Sequence, residues 1–424
     1  AYTLKSEAQT MSFLLLAVIY LIFVSLGLPD SMLGSSFPAI AANLHVAKEM
    51  AGYIAVEVSG MTIISSLLST PLVKKLTAKG IVSISVLLTA IGLVSFSLVT
   101  ENYIWALFLA AIPLGLGAGA IDATLNNYVA LHYKAIHMNW LHCSWGVGAS
   151  IGPLVIGSFI DSSNNSAGWN KGVLTIAIVQ LAIFVIALAS FPLWNKAEEQ
   201  DKKLEKEEST KEPVDFKTSS LFKQPIFYLS MFGFFCYCAL ETTTGLWSGS
   251  FFCYAKGMTT AMAATLTSLF YIGITVGRFI CGPLSLKLNE KVMIRIGEAL
   301  LAIGAIITAL PLNVYGAGVG IVLIGIGCAP IYPAIIRSTP YRFSRSSSQK
   351  AMSVEMACAY VGNLAIPPLF GLTCKSLGDD YSILPYLILI LLVIMISCHE
   401  VINVKLSRRD RSLSPDERKK YETL

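Results

Sequence analysis

Twelve long apolar runs follow one another along the chain, and they leave it little choice of fold. They cover about residues 11–40, 48–73, 80–99, 103–132, 139–160, 172–194, 223–255, 259–286, 291–311, 315–338, 348–374 and 381–405. A helix needs about 20 mainly apolar residues to cross a bilayer. Each run supplies roughly that number. Of the 424 residues, only 13% are charged and 54% are hydrophobic. A soluble domain carries about 25% charged residues. The chain therefore cannot cover itself with a water-facing surface, which excludes a soluble enzyme, a nucleic-acid binder and a disordered chain. Lipid is the expected solvent. Because lipid offers the backbone no hydrogen bonds, each run is read as a helix. The expected fold class is an all-α membrane protein with twelve transmembrane helices.

Charge placement sets the expected orientation. With the N-terminus inside, the cytoplasmic loops and tails hold 26 of the 31 basic residues, including Lys74, Lys75, Lys287, Arg295 and Arg342. The outer side holds Lys48, Lys171, Lys256 and Lys375, and Arg278 lies inside a span. By the positive-inside rule both termini are expected in the cytoplasm, with the plasma membrane as location. The first ten residues are polar and the apolar run behind them is too long for a leader, so no cleaved signal is expected. The stretch 195–223 is rich in Lys and Glu and reads as a linker. The expected division is a six-helix half at 1–194, the linker at 195–223, a second half at 224–405 and a tail at 406–424. The nine cysteines are scattered through apolar runs without metal spacing and read as small packing residues.

The two halves repeat. Asp30 and Gly34 of the first span answer Glu241 and Gly245 of the seventh. Pro71 and Leu72 answer Pro283 and Leu284, and Gly115 and Gly117 answer Gly325 and Gly327. Gly148, Pro153 and Gly157 answer Gly362, Pro367 and Gly371. All these pairs lie about 210 residues apart, close to half the length, which marks a duplicated unit. Parallel repeats of this kind place a substrate site near mid-membrane, between the halves.

Charges inside the spans are the candidates for chemistry. An acid at the bilayer centre costs about 2.5–3.5 kcal/mol on insertion scales. Asp30, Asp122 and Glu241 stand near mid-depth on the first, fourth and seventh spans. Gly115, Gly119, Asp122 and Asn126 share one face of the fourth span. The glycines fit close helix packing. For Asp122 and Asn126 the bland alternative is an interhelical hydrogen bond. Asn126, Trp145, Asn363, Asn127, Trp247 and Tyr271 are candidates for a polar solute, with Trp145 and Asn126 first. His142, one turn from Trp145, reads as a relay or a packing histidine. Arg278 can pair with Glu241, Asp122 or Glu355. Arg337 and Glu355 read as a gate or loop pair. Glu298 reads as structural.

The twelve spans, the two halves and the long central loop resemble the major facilitator superfamily. Three features are similar to its fucose permease-like, fucose–galactose–proton symporter branch. They are the first span with Asp30, the stretch 115–128 with Asp122 and Asn126, and the stretch 141–153 with His142, Trp145 and Gly148. The resemblance implies a major facilitator fold whose first, fourth, seventh and tenth helices line a central cavity. It also implies an acid in the first helix and one in the fourth as proton- and sugar-linked groups, which match Asp30 and Asp122. It departs from the superfamily in one place. Lys74 and Leu286 stand where the loops after the second and eighth helices usually carry an acid.

The expected function is secondary active transport. The leading reading is proton-coupled symport of a monosaccharide or related polar solute by alternating access. The alternative is a proton-driven exporter of drug-like or amphipathic molecules. A receptor or scaffold has no use for three mid-depth acids, and no nucleophile–base set or metal cluster points to an enzyme. No cofactor is expected, and a proton, with sodium as the other option, is the coupling ion. The expected partners are the solute and the bilayer, with no nucleic acid and a monomeric chain.

Overall fold

The structure is a computed structural model that describes residues 2–133, 135–195, 222–343 and 345–412. The described residues are helical almost throughout, with one isolated β-bridge, Asp161 to Ala167, and no strand. The helices in chain order are α1 (Tyr2–Asp30), α2 (Met32–Asn43), α3 (Met50–Ser97), α4 (Ala106–His132), α5 (Ala135–Phe159) and α6 (Trp169–Ala189). After the central stretch come α7 (Pro225–Ser250), α8 (Thr260–Leu284), α9 (Glu290–Ala309), α10 (Val314–Phe343), α11 (Arg345–Ser376) and α12 (Leu384–Ser412). Most of the expected 195–223 linker and residues 413–424 of the expected tail lie outside the described residues.

Two helix breaks have a local reason. The first span, from Phe13 to Asn43, is made of α1 and α2, which part at Ser31. Pro29 has no N–H for the carbonyl one turn back, which weakens the helix there. The second and third spans are separate, as expected, although the range given for α3 runs through both. The chain turns between them at Thr77, whose φ of 60° and ψ of 165° are far from helical. A β-branched residue at positive φ is strained. The last helix also runs to Ser412, seven residues beyond the expected end of the span.

Eleven described segments are long and apolar enough to cross a membrane. The twelfth span is α5, 25 residues long, whose N-terminal half carries His137, Asn139, His142 and Ser144. Its polar content follows from its position, since α5 packs against α8 across the centre of the bundle. Further extensive contacts between the first six spans and the last six run from α2 to α7 and α8, and from α3 to α11.

At one end, which we call the far end, polar groups join the halves. Lys48 bonds Asp379 at 3.0 Å, and Lys375 bonds the buried Glu49. Ser166 meets the Thr260 hydroxyl at 2.8 Å, and the Ala261 N–H donates to Ser162 at 3.1 Å. The Lys48 ammonium also lies 4.3 Å from the centre of the Tyr254 ring. The far end is therefore closed by ionic contacts on one side and hydroxyl contacts on the other.

Candidate functional site

The site begins at a close helix crossing. A Cβ placed on Gly27 would lie 2.0 Å from the Trp145 carbonyl oxygen, and one on Gly148 would lie 1.9 Å from that of Val24. Only glycine allows α1 and α5 to approach so closely. Asp30 stands three residues beyond Gly27, and Trp145 three before Gly148. The crossing thus brings the Trp145 indole N–H to the Asp30 carboxylate at 2.7 Å.

Asp30 and Trp145 face a cavity of about 350 Å³ lined by helices from both halves. Asp122 from α4, Glu241 from α7 and Arg278 from α8 line it as well. The three expected acids are thus brought to one cavity. His142 and Asn363 also line it. The Asn363 side-chain oxygen accepts from the Thr242 hydroxyl at 2.7 Å. His142 sets its ring edge-on to Phe23, with centroids 6.0 Å apart.

Arg278 joins the two halves. One guanidinium nitrogen lies 3.6 Å from the Glu241 carboxylate. Another donates to the His142 carbonyl at 3.3 Å. Its central carbon sits 5.1 Å from the centre of the Trp145 ring, a cation–π distance. Of the three acids open to it in the sequence, Arg278 pairs with Glu241.

Three expectations change. Asn126 does not line the cavity; it donates to Asp122 at 2.8 Å from one turn further along α4. Its own carbonyl oxygen is buried without a partner. Asn126 therefore orients Asp122, and the cavity wall lies on the other side of that carboxylate. Arg337 and Glu355 do not pair with each other. Arg337 faces Glu290 at 4.0 Å. Glu355 is fully buried, bonded by Ser230 and by the Thr339 hydroxyl at 3.0 Å, and Arg342 donates to the same Ser230 at 2.6 Å. Trp247 is buried against α11 and donates to the Pro367 carbonyl at 2.9 Å, so it holds helices together; Asn127 is not on the cavity wall.

Glu298 is structural, as expected, in a buried bond to His399 at 2.6 Å. Sequence reasoning missed Thr242, Tyr332 and Tyr360, which line the cavity. Thr242 adjoins Glu241, a signal that was available. The two tyrosines carried none, since aromatic residues are common in membrane helices. Tyr271 does line the cavity, 6.0 Å from Trp145 between ring centres.

The model of the Major Facilitator Superfamily matches residues 19–314 and 253–420. The chain belongs to the major facilitator superfamily. It is a multi-pass integral membrane protein of a family of transporters. A relative, "Bypass of stop codon protein 6" of Saccharomyces cerevisiae, is 22% identical over 306 residues, which is 67% of this chain. The chain spans 60% of that protein's length. A D-xylose-proton symporter shares the fold with a TM-score of 0.66 and 14% identity, over 90% of this chain and 97% of that one. FucP, a major facilitator transporter in the outward conformation, does so with a TM-score of 0.61 and 16% identity, over 91% and 98%.

Proposed function

We propose that the protein is a secondary active transporter that carries a monosaccharide or related polar solute together with protons. The observation that carries this reading is the gathering of Asp30, Asp122 and Glu241, against one cation, Arg278, on a single cavity between the halves. Acids in a poorly hydrated site can change protonation near neutral pH. Thr242, Asn363 and Trp145 add the hydroxyl, amide and aromatic groups that bind a hydroxylated ring. The motifs at 115–128 and 141–153 support the fucose permease-like branch. The basic residues place both termini in the cytoplasm, so the closed far end is the outer side and the conformation faces inward. In this scheme Asp30 is the proton-linked group and Asp122 joins proton and solute.

A second reading, proton-driven export of amphipathic molecules, is favoured by one feature. Much of the cavity wall is apolar, with Phe23, Leu33, Phe234 and Phe270 on it. The two readings separate in proteoliposomes given labelled L-fucose, D-galactose or D-xylose, with and without an inward proton gradient. Symport predicts uptake of at least one sugar, stimulated by the gradient. Absence of sugar uptake, with proton release driven by a lipophilic cation instead, would favour export.

A further inference from the structure

Trp145 stands between two charged groups that belong to opposite halves. Its indole N–H donates to Asp30 of α1, and its ring face carries the Arg278 guanidinium of α8. Arg278 in turn pairs with Glu241 of α7. Among the described residues the chain of contacts between Asp30 and Glu241 runs Asp30, Trp145, Arg278, Glu241. We propose that Trp145 is a positioning residue through which the protonation state of Asp30 is read by the Arg278–Glu241 pair.

An ionised Asp30 holds the indole N–H in a charge-assisted hydrogen bond, which fixes the ring plane. That plane is the seat on which Arg278 rests, with the His142 carbonyl as its second support in the first half. When Asp30 takes a proton, the bond weakens and the ring is freer to turn. The guanidinium then loses its seat and its geometry toward Glu241 changes. The planar guanidinium is needed, because a lysine ammonium does not stack on an indole face in the same way.

Other ionisable groups around Asp30 have to be kept in view. They are Asp122 on α4, His142 on α5, Glu241 on α7, Tyr271 and Arg278 on α8, Tyr332 on α10 and Tyr360 on α11, all on the same cavity. None of them touches both Asp30 and Arg278 among the contacts that the structure gives, which is why the link is assigned to Trp145.

The inference rests on Asp30 as the proton-linked group, but its test needs no transported solute. Infrared difference spectra of the full-length protein in lipid, recorded across the neutral pH range, report carboxylic acid and carboxylate bands separately. The Asp30 band is identified by its loss in Asp30→Asn, and the Glu241 band by its loss in Glu241→Gln. In the unmodified protein the Glu241 carboxylate band should shift in step with protonation of Asp30. Trp145→Phe keeps a ring but removes the N–H; Asp30 should still titrate while the Glu241 shift is lost. Arg278→Lys should lose the shift as well, with Trp145 intact. A Glu241 shift that persists in Trp145→Phe would overturn the proposal, and so would its absence from the unmodified protein. Failure of sugar uptake with these spectral results intact would count against the proposed function and leave the link standing.

Discussion

Asp30 has one donor on its carboxylate, the Trp145 indole, and a cavity on its other side. Asp30→Asn keeps the oxygen that accepts from Trp145 and removes the titration. It is predicted to abolish accumulation driven by a proton gradient, so that internal and external solute reach equality, while exchange of labelled for unlabelled sugar continues. Loss of exchange would move Asp30 from coupling to binding. Glu355 offers a contrasting case. It is buried in hydrogen bonds with Ser230 and Thr339, beside a buried Arg342. Glu355→Gln leaves that arginine uncompensated and should cost about 3 kcal/mol, read as a fall in thermal unfolding temperature. The acids were legible because charge is scarce in apolar runs. The partner of Glu355 was not. Arg337 and Arg342 lie five residues apart, about 140° around a helix, so a sequence shows both and does not say which one turns inward. Asn126 was misread for a similar reason. Its spacing from Asp122 fits a shared cavity face and an internal hydrogen bond equally well.

At the scale of elements, the site depends on how closely α1 and α5 cross. An added methyl on Gly148 would meet the Val24 carbonyl at 1.9 Å, and backbone cannot step aside as a flexible side chain can. Gly148→Ala should therefore push the helices apart and lengthen the Trp145–Asp30 bond. The expected cost is about 1–3 kcal/mol in stability, with a loss of gradient-driven uptake greater than the loss of folded protein. Unchanged uptake and unfolding temperature would show that the crossing is not needed. The repeated Gly148, Pro153, Gly157 pattern in the sequence marked this helix as special. The break between the second and third spans was legible too, since the apolar runs stop at 73 and resume at 80, on either side of the turn at Thr77.

For the whole molecule, the closed far end is a balance that small energies can tip. The Lys48–Asp379 pair is partly exposed, so it contributes about 0.5–1 kcal/mol at most. Asp379→Asn should raise the share of molecules open at the far end by about two- to fivefold, the change that such an energy sets. Distances between spin labels on residues 44–49 and 377–380 would read it, and an unchanged distribution would show that the other contacts of the far end hold the closure. The long apolar helices and a cavity between the halves were legible because membrane insertion restricts what such a chain can fold into. The closure was not, since the pairing of Lys48 and Glu49 with residues about 330 positions away is a property of one conformation. The central claim is that protons and sugar move together through the Asp30 cavity. It is tested most directly by adding L-fucose, D-galactose or D-xylose to proteoliposomes in weakly buffered medium without an imposed gradient. The account predicts that a transported sugar makes the medium alkaline as protons enter with it, and that Asp30→Asn abolishes the change. Sugar entry with no movement of protons, or the same alkalinisation in Asp30→Asn, would contradict it.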